Sequence, residues 1–238
     1  MTISQSDKEL LDRIKRVQEQ VNEALIESGR KPEELTVMAV TKTVPPHKVN
    51  LAVQSGIHLL GENRVQEYLS KREEYDLQNA QVHMIGHLQS NKVRQIIDKV
   101  SMIESVSSLK LAQEIDRQAQ KSGTVMDVLL EINIGKEESK TGFFREEVDE
   151  ALVVLSQLSH IRVKGMMCIP PKENTEKFFS DMAQFFIDIR DKKLDNINMS
   201  LLSMGMSGDY QMAIRYHSNI VRLGTALFGA RDYPAEKG

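Results

Sequence analysis

Eight short apolar runs alternate with helical patterns along this 238-residue chain, from Thr36 onward. The runs lie near residues 37–41, 57–61, 81–86, 100–104, 127–134, 161–168, 198–203 and 219–223. Apolar runs without hydrophobic–polar alternation are typical of strands that are buried on both faces, as in a parallel sheet. Since no linker or change of composition interrupts the series, the pattern predicts an α/β fold in which residues 1–238 form a single (β/α)8 TIM barrel domain.

A further helix is predicted ahead of the barrel, within residues 1–30. Ser6 and Glu9 have the spacing of a capping box, and Gly29 suits the left-handed position just past a helix end. The apolar residues between them recur at steps of four and three, as on one helix face: Leu10, Ile14, Val17, Val21 and Ala24. This face could pair with a partner helix or form a coiled coil, but we favour packing on the barrel of the same chain.

The segments between the apolar runs also have helical spacing. Between the third and fourth runs, Val93, Ile96 and Ile97 follow Ser90, which predicts an α-helix capped by that serine. After the eighth run, Thr225 is expected to open a short helix.

The composition argues against several classes of partner. The 31 basic and 34 acidic residues give a net charge of −3 without any basic block, so neither nucleic acid nor an anionic membrane is expected as a partner. No stretch approaches the roughly 18 apolar residues of a membrane helix, and the N-terminal residues have no apolar signal core. The single cysteine, Cys168, allows no internal disulfide and is expected to fill the core at a strand end. We therefore expect a cytoplasmic protein.

Lys42 occupies the position where the first apolar run should reach the surface. It follows the run at residues 37–40, and Pro45 and Pro46 then prevent further sheet pairing. In α/β barrels the ligand site lies at the carboxyl ends of the strands. A sheltered amine there can have a lowered pKa and can form a Schiff base with an aldehyde. The alternative is a solvated lysine that opens a loop, since buried lysines are rare.

Other strand ends carry glycine and polar residues. The second run ends in GENR, residues 61–64, and the third ends in GHLQSN, residues 86–91. Asn63 in the first motif could bind a ligand or cap the following helix, and His87 in the second could bind a ligand or be a hydrogen-bonded structural histidine. His83, inside the third run, fits a structural role better. Lys140, in a charged loop, is expected to be solvated.

The ends of the seventh and eighth runs suggest an anion site. Ser207, Gly224 and Thr225 offer hydroxyls and backbone N–H groups where barrels often bind phosphate. Arg222, two residues before Gly224, could point into the barrel mouth and donate to a ring nitrogen or a carboxylate. An amine on one side of the mouth and a phosphate cradle on the other favour a phosphorylated aldehyde as ligand, and pyridoxal 5′-phosphate fits this requirement.

Six ordered motifs carry a resemblance to a known family: AVTKTVPP, GENRVQE, IGHLQSNK, NIGKEESKTG, SMGMSGD and VRLGTALFG. They span residues 39–229 and closely resemble the YggS/PROSC family of pyridoxal phosphate homeostasis proteins. The resemblance implies a barrel of PLP fold type III, similar to the N-terminal domain of bacterial alanine racemase, with pyridoxal 5′-phosphate as cofactor.

The resemblance also implies roles for individual residues. The family's cofactor lysine falls on Lys42, and the arginine that faces the pyridine nitrogen falls on Arg222. The residues implied as phosphate contacts, or as parts of motifs near the cofactor, are Ser207, Gly224, Thr225, Asn63 and His87. No catalytic residue and no metal ligand is expected.

Three functions stay open. The leading hypothesis is a non-catalytic protein that holds pyridoxal 5′-phosphate as a Schiff base and contributes to vitamin B6 and amino-acid homeostasis, with PLP-dependent apo-enzymes as recipients. The second is a single-domain fold-type III enzyme such as an amino-acid racemase, and the third a phosphosugar enzyme that uses the phosphate site alone. The resemblance to racemases implies a tyrosine base from a C-terminal domain, whereas nine residues follow Gly229 here and Tyr233 among them has no domain to position it. We therefore expect a monomeric carrier.

Overall fold

Eight parallel strands close into a barrel in the computed structural model, which describes residues 4–192 and 194–230. The strands are β1 (Thr36–Val40), β2 (Leu59–Glu62), β3 (Gln81–Met84), β4 (Met102–Val106), β5 (Met126–Ile132), β6 (Ile161–Cys168), β7 (Ile197–Met206) and β8 (Ile220–Leu223). Each pairs with the next along the chain, and β8 pairs with β1, where Thr36 lies opposite Ile220. The predicted (β/α)8 TIM barrel is thereby confirmed, and every strand overlaps one of the predicted runs. Tyr233 lies outside the described residues.

Helices cover the outside of the barrel. The α-helices are α1 (Gln5–Glu27), α2 (Pro46–Gln54), α3 (Val65–Lys71), α4 (Leu109–Lys121), α5 (Val148–Leu155), α6 (Thr175–Arg190), α7 (Tyr210–Arg215) and α8 (Thr225–Phe228). Short 3-10 helices span Pro32–Glu34, Arg72–Glu74, Ser90–Gln95 and Arg145–Glu147. Across the described residues, no helix has the length and apolar character needed to cross a bilayer.

The N-terminal helix α1 packs on the barrel against α2, α7 and α8, and its predicted apolar face is buried. Its cap differs from the prediction: Ser4, not Ser6, precedes the first turn and accepts a hydrogen bond from Asp7 N at 3.1 Å. Because the helix begins at Gln5, Ser6 already lies inside the first turn, where its side chain cannot act as a cap. Gly29 has a φ of +66°, in the left-handed region expected for it.

The segment after β3 is a 3-10 helix, Ser90–Gln95, and the predicted α-helix is wrong. Ser90 lies inside this segment, and the cap residue, Gln89, makes no side-chain hydrogen bond to it. Val93, Ile96 and Ile97 are nevertheless buried. Apolar steps of three and four suit successive 3-10 turns as well as one α-helical turn, so the spacing cannot distinguish the two in so short a segment.

The core has an outer and an inner part. The outer part lies between the strands and the helices. The barrel interior holds smaller apolar clusters, formed by Met38, Val40, Leu59, Ile85 and Ile220 and by Met102, Leu129 and Met167. It also holds a set of buried polar side chains: His83, Glu104, Ser203 and Arg222. Because the interior is packed with side chains, a ligand is expected at an end of the barrel and not within it.

Candidate functional site

The predicted site residues meet at one end of the barrel. Apart from Arg222, which lies within β8, they sit just past strand ends: Lys42 after β1, Asn63 after β2, His87 after β3, Ser207 after β7, and Gly224 and Thr225 after β8. Because all the strands are parallel, their carboxyl ends face the same side. Met38 lies opposite Arg222, and Val40 lies opposite Gly61, so β1, β2 and β8 end at similar heights. This end is called the mouth below.

Lys42 is half-buried at the mouth, two positions beyond the last residue of β1. Met38 and Val40, on the strand that leads to Lys42, belong to the interior cluster. The next residue, Thr43, has a φ of +63°. This left-handed conformation is a genuine outlier for a β-branched residue, so the chain turns sharply straight after the lysine.

Backbone N–H groups at the junction of β8 and α8 converge on one oxygen atom. Gly224 N and Ala226 N donate hydrogen bonds to Ser207 Oγ at 3.1 and 3.0 Å. The serine hydroxyl stands where an oxygen of a bound anion would accept the same bonds. Thr225 is exposed at the first position of α8, which confirms the predicted short helix. Ala226 was not predicted, because its contribution is a backbone N–H group that side-chain identity does not reveal.

The far end of α8 is fixed by the N-terminal helix. Arg13 Nε donates to Leu227 O at 2.8 Å, and Arg13 Nη2 donates to Phe228 O at 3.4 Å. A cation at the carboxyl end of a helix satisfies its unpaired carbonyl groups and complements its dipole. Ser207 and the backbone of residues 224–226 are called the cradle below. A side chain from α1 therefore helps to hold the helix that carries the cradle.

Arg222 is buried beneath the mouth and held by a chain of hydrogen bonds. Its Nη1 donates to Ser203 Oγ at 2.7 Å, and its Nη2 donates to Cys168 O at 2.8 Å. Ser203 in turn donates to Glu104 Oε2 at 2.6 Å, and Glu104 Oε1 lies 2.7 Å from His83 Nδ1. Glu104 is therefore linked to the guanidinium through Ser203, and His83 has the structural role expected for it. Ser203 and Glu104 were not predicted.

Burial changes the titration of two groups near the mouth. Burial raises the pKa of the Cys168 thiol to about 12, so this cysteine is protonated at neutral pH and is a core residue, as predicted. Burial also raises the pKa of the Glu131 carboxyl, while a hydrogen bond from Thr141 and the charges of His87 and Arg222 oppose that shift. Glu131 was not predicted, and the only signal for it is a charged residue inside an apolar run.

His87 is exposed between two cavities at the mouth. A cavity of about 370 Å3 also touches Lys140, and one of about 540 Å3 also touches Asn63. Asn63 packs its backbone against Gly86, where an added Cβ would lie 2.2 Å from Asn63 O. Only glycine fits this close approach. Asn63 does not cap α3, because the cap residue is Arg64 and it makes no side-chain cap bond.

The loop after β5 holds Lys140 in place. Asn133 Nδ2 donates to Glu137 O at 2.9 Å and to Lys140 O at 3.2 Å, which folds the loop back on itself. Lys140 Nζ pairs with Glu137 and donates to Ile169 O at 3.3 Å. The side chain is half-buried and paired, so it is less solvated than expected.

Comparison with known proteins defines the class of this barrel. The family profile described as "Alanine racemase, N-terminal domain" matches residues 14–232. An alanine racemase structure from Clostridium difficile 630 has the same fold, with a TM-score of 0.74 at 19% identity over 94% of this chain and 58% of that chain. The fold and the matched residues define a barrel of the alanine racemase N-terminal domain class.

Curated relatives in several bacteria share nearly the whole length of this chain. The pyridoxal phosphate homeostasis protein of Aquifex aeolicus (strain VF5) is 38% identical over 228 residues, which cover 93% of this chain and 98% of the relative. That of Escherichia coli (strain K12) is 35% identical over 221 residues, which cover 91% and 94%. PipY of Synechococcus elongatus, solved with PLP bound, has a TM-score of 0.80 at 29% identity over 92% of this chain and 100% of PipY. The present chain belongs to the family of pyridoxal phosphate homeostasis proteins.

Proposed function

We propose that this protein binds pyridoxal 5′-phosphate at the mouth and contributes to vitamin B6 and amino-acid homeostasis as a non-catalytic carrier. Ser207 and the backbone of residues 224–226 would hold the phosphate, Lys42 would bind the aldehyde, and Arg222 would face the ring nitrogen. Asn63 and His87 would border the ring. The family membership and the geometry of the mouth support this assignment.

The observation that carries the proposal is the convergence of Gly224 N and Ala226 N on Ser207 Oγ. A phosphate oxygen is a stronger acceptor than a hydroxyl, and it can take these N–H groups together with the serine O–H. Hydrogen bonds to a charged group contribute about 1.5–3 kcal/mol each. Gly224 keeps the backbone open to close approach, since it has no Cβ. The residues present therefore fit a phosphate group.

Lys42 and Arg222 fit the other two functional groups of this cofactor. When bound, the cofactor would supply an aldehyde, which the Lys42 amine would hold as a Schiff base with loss of the aldehyde oxygen as water. Lys42 lies at the end of β1, and β1 pairs with β8, which carries Arg222 and leads into the cradle. Lys42, Arg222 and residues 224–226 are therefore carried by the neighbouring strands β1 and β8 and the segments that follow them.

The presence of Arg222 favours a carrier of the cofactor over an enzyme that uses the cofactor in catalysis. Its guanidinium is permanently protonated and only donates hydrogen bonds, so a ring nitrogen facing it stays unprotonated. A ring whose nitrogen is unprotonated withdraws less electron density. It therefore stabilises the negative charge that develops at the Cα of an amino acid less well. Ser203 and the carbonyl of Cys168 hold the guanidinium in place.

A transfer assay tests the carrier role. The protein is loaded with pyridoxal 5′-phosphate, freed of excess ligand, and mixed with the apo form of a PLP-dependent enzyme and a small amine that scavenges free aldehyde. We expect the loaded protein to restore enzyme activity better than free cofactor at equal concentration, and Lys42→Ala to lose much of this advantage. Equal restoration by loaded protein and free cofactor would contradict the carrier role.

A further inference from the structure

The segment of β2 and α3 that contains the GENR motif contacts the chain on both sides of Lys42. Glu62, at the end of β2, is fully buried. Its Oε1 accepts hydrogen bonds from Thr41 Oγ1 at 2.6 Å and from Tyr75 OH at 2.8 Å. Thr41, the residue before Lys42, is itself fully buried. A carboxyl group on β2 therefore anchors the chain immediately before the lysine.

Glu67 anchors the chain immediately after the lysine. Thr43 N donates a hydrogen bond to Glu67 Oε1, and Lys71 Nζ binds the same oxygen. Lys71 Nζ also donates to Val44 O at 3.1 Å. The Lys71 charge and these hydrogen bonds keep the pKa of the Glu67 carboxyl below its usual value although burial opposes that shift. Glu67 is thus a charged acceptor for the backbone of Thr43.

These contacts come with unfavourable local features. Thr43 is left-handed at a φ of +63°, and Glu62 Oε2 is buried with no hydrogen-bond partner. A strained backbone and a buried carboxyl oxygen without a partner persist only where the surroundings stabilise them, and such features cluster at functional sites. Glycine or asparagine at residue 43 would relieve the strain. These costs indicate that the contacts serve a function besides closing the loop after β1.

We propose that Glu62 and Glu67 are positioning residues that set where the Lys42 amine meets the aldehyde of the bound ligand. This inference rests on the proposed role of Lys42 in the Schiff base. Glu62 holds residue 41, and Glu67 holds residue 43 in its left-handed conformation, so the backbone of Lys42 is fixed from both sides. Bond formation needs the amine within a few tenths of an ångström of its productive position, which a mobile loop would not provide.

Separate measurement of covalent and non-covalent binding tests this inference. Pyridoxal 5′-phosphate reports Schiff-base formation through its absorbance and borohydride trapping, whereas pyridoxine 5′-phosphate has no aldehyde and reports the phosphate and ring contacts alone. We expect Glu67→Ala to lower the equilibrium constant for the Schiff base about tenfold, the scale of one strained backbone conformation. Binding of pyridoxine 5′-phosphate should stay within about twofold of the parent protein. Glu73→Gln, a change at a side chain that is 82% exposed on the next 3-10 helix, is the matched control.

Conservative changes separate positioning from folding. Glu67→Gln keeps an oxygen acceptor for Thr43 N and should retain more Schiff base than Glu67→Ala. Thr43→Asn, which tolerates the left-handed conformation, should restore the Schiff base in the Glu67→Ala background. Glu62→Gln keeps the shape at Thr41 and should have a smaller effect than Glu62→Ala. Circular dichroism establishes that each variant is folded.

The outcomes distinguish this inference from the proposed function. If Glu67→Ala and Glu62→Ala leave the Schiff base unchanged, or reduce covalent and non-covalent binding equally, the positioning role is wrong while the site stands. If Lys42→Ala traps as much label as the parent protein, the proposed role of Lys42 itself is wrong.

Discussion

Glu62 is a carboxyl group that the fold keeps out of water. Burial raises its pKa above the ordinary value of 4.5, while hydrogen bonds from Thr41 and Tyr75 lower it by less. The folded protein therefore holds the proton more tightly than the unfolded chain does. The resulting contribution to stability is full below the pKa of the unfolded chain, and it is lost as the pH rises through the pKa of the folded protein.

Glu62→Gln should therefore flatten the pH dependence of stability. The difference in unfolding free energy between variant and parent is expected to shift in favour of the variant as the pH rises from about 4.5, because the amide does not titrate. Glu131, whose pKa burial also raises, contributes equally to both proteins and drops out of this difference. Urea unfolding at a series of pH values measures it, with Glu73→Gln as control. A difference that does not change with pH would count against a raised pKa at Glu62.

Lys42 should carry the cofactor covalently. Borohydride treatment of the protein with pyridoxal 5′-phosphate is expected to fix the label on the peptide that contains Lys42, because this amine stands at the mouth on the strand next to the cradle. Peptide mass spectrometry locates the label. Lys140 and Lys48 are internal controls, since Lys140 is paired with Glu137 and Lys48 donates to Ser6 on α1. A label on either of them would show that the assignment is wrong.

At the scale of single residues, the sequence revealed the groups that stand at strand ends but not the partners that hold them. Lys42 and Gly224 follow apolar runs directly and Ser207 lies shortly after one, and these positions predicted their place at the mouth. Glu104 reaches Arg222 only through Ser203, which is 99 positions away from Glu104 along the chain. No local pattern encodes a contact between strands on opposite sides of a barrel. The role of Ala226 could not be predicted for a different reason, because this residue acts through its backbone N–H group.

At the scale of elements, the junction of β8 and α8 should dominate affinity. At the proposed site the phosphate would gain several charge-assisted hydrogen bonds, each contributing about 1.5–3 kcal/mol, whereas the Schiff base is a reversible link. Lys42→Ala is expected to lose the Schiff-base absorbance and still bind pyridoxal 5′-phosphate. Pyridoxal, which has no phosphate, should bind the parent protein at least about tenfold more weakly. Titration calorimetry measures both affinities, and equal affinities would refute a dominant phosphate site.

The contact between α1 and α8 leads to a stability prediction. Arg13→Ala removes the donor to the carbonyls of Leu227 and Phe228 and leaves them without this partner. We expect the free energy of unfolding to fall by about 1–2 kcal/mol. Affinity for pyridoxine 5′-phosphate should fall as well, because α8 carries the cradle. Lys15→Ala, on the exposed face of the same helix, is the control for both urea unfolding and binding. Equal behaviour of the two variants would mean that α1 does not support the cradle.

Most elements could be predicted, because periodicity is a property of the local chain. The eight strands and the apolar face of α1 were found this way, and α8 was found at its first residue, Thr225. The exceptions are short or lie at element ends. The cap of α1 is Ser4 and not Ser6, because either serine satisfies the local pattern. The segment Ser90–Gln95 is too short for apolar spacing to distinguish a 3-10 helix from an α-helix.

At the scale of the whole molecule, we expect no useful racemase activity. Racemisation needs a base on each face of the Cα, and Lys42 can serve only one of them. Among the residues that the structure describes, His87, which is exposed at the mouth, could serve the other. Loaded protein incubated with single L-amino acids in deuterated water should show slow Cα exchange at most, without the D-enantiomer. Inversion at about 1–1000 per second that is lost in His87→Ala would make the protein an enzyme.

The oligomeric state and the cellular location stay predictions. The sequence predicts a monomer, for which sedimentation should give a mass near 27.0 kDa with and without cofactor. The cytoplasmic location can be tested directly by fractionation of cells.

The seam between β1 and β8 joins the first and last strands of the barrel. A ribosome that makes this chain releases Lys42 early and Arg222 and Gly224 near the end of synthesis. If these residues hold the cofactor as proposed, a nascent chain should not retain it, and we expect loading only after β8 has paired with β1. Bound cofactor would then link these two strands, and it should oppose the opening of the barrel at that seam. Vitamin supply would in this way influence how long each finished copy survives in the cell.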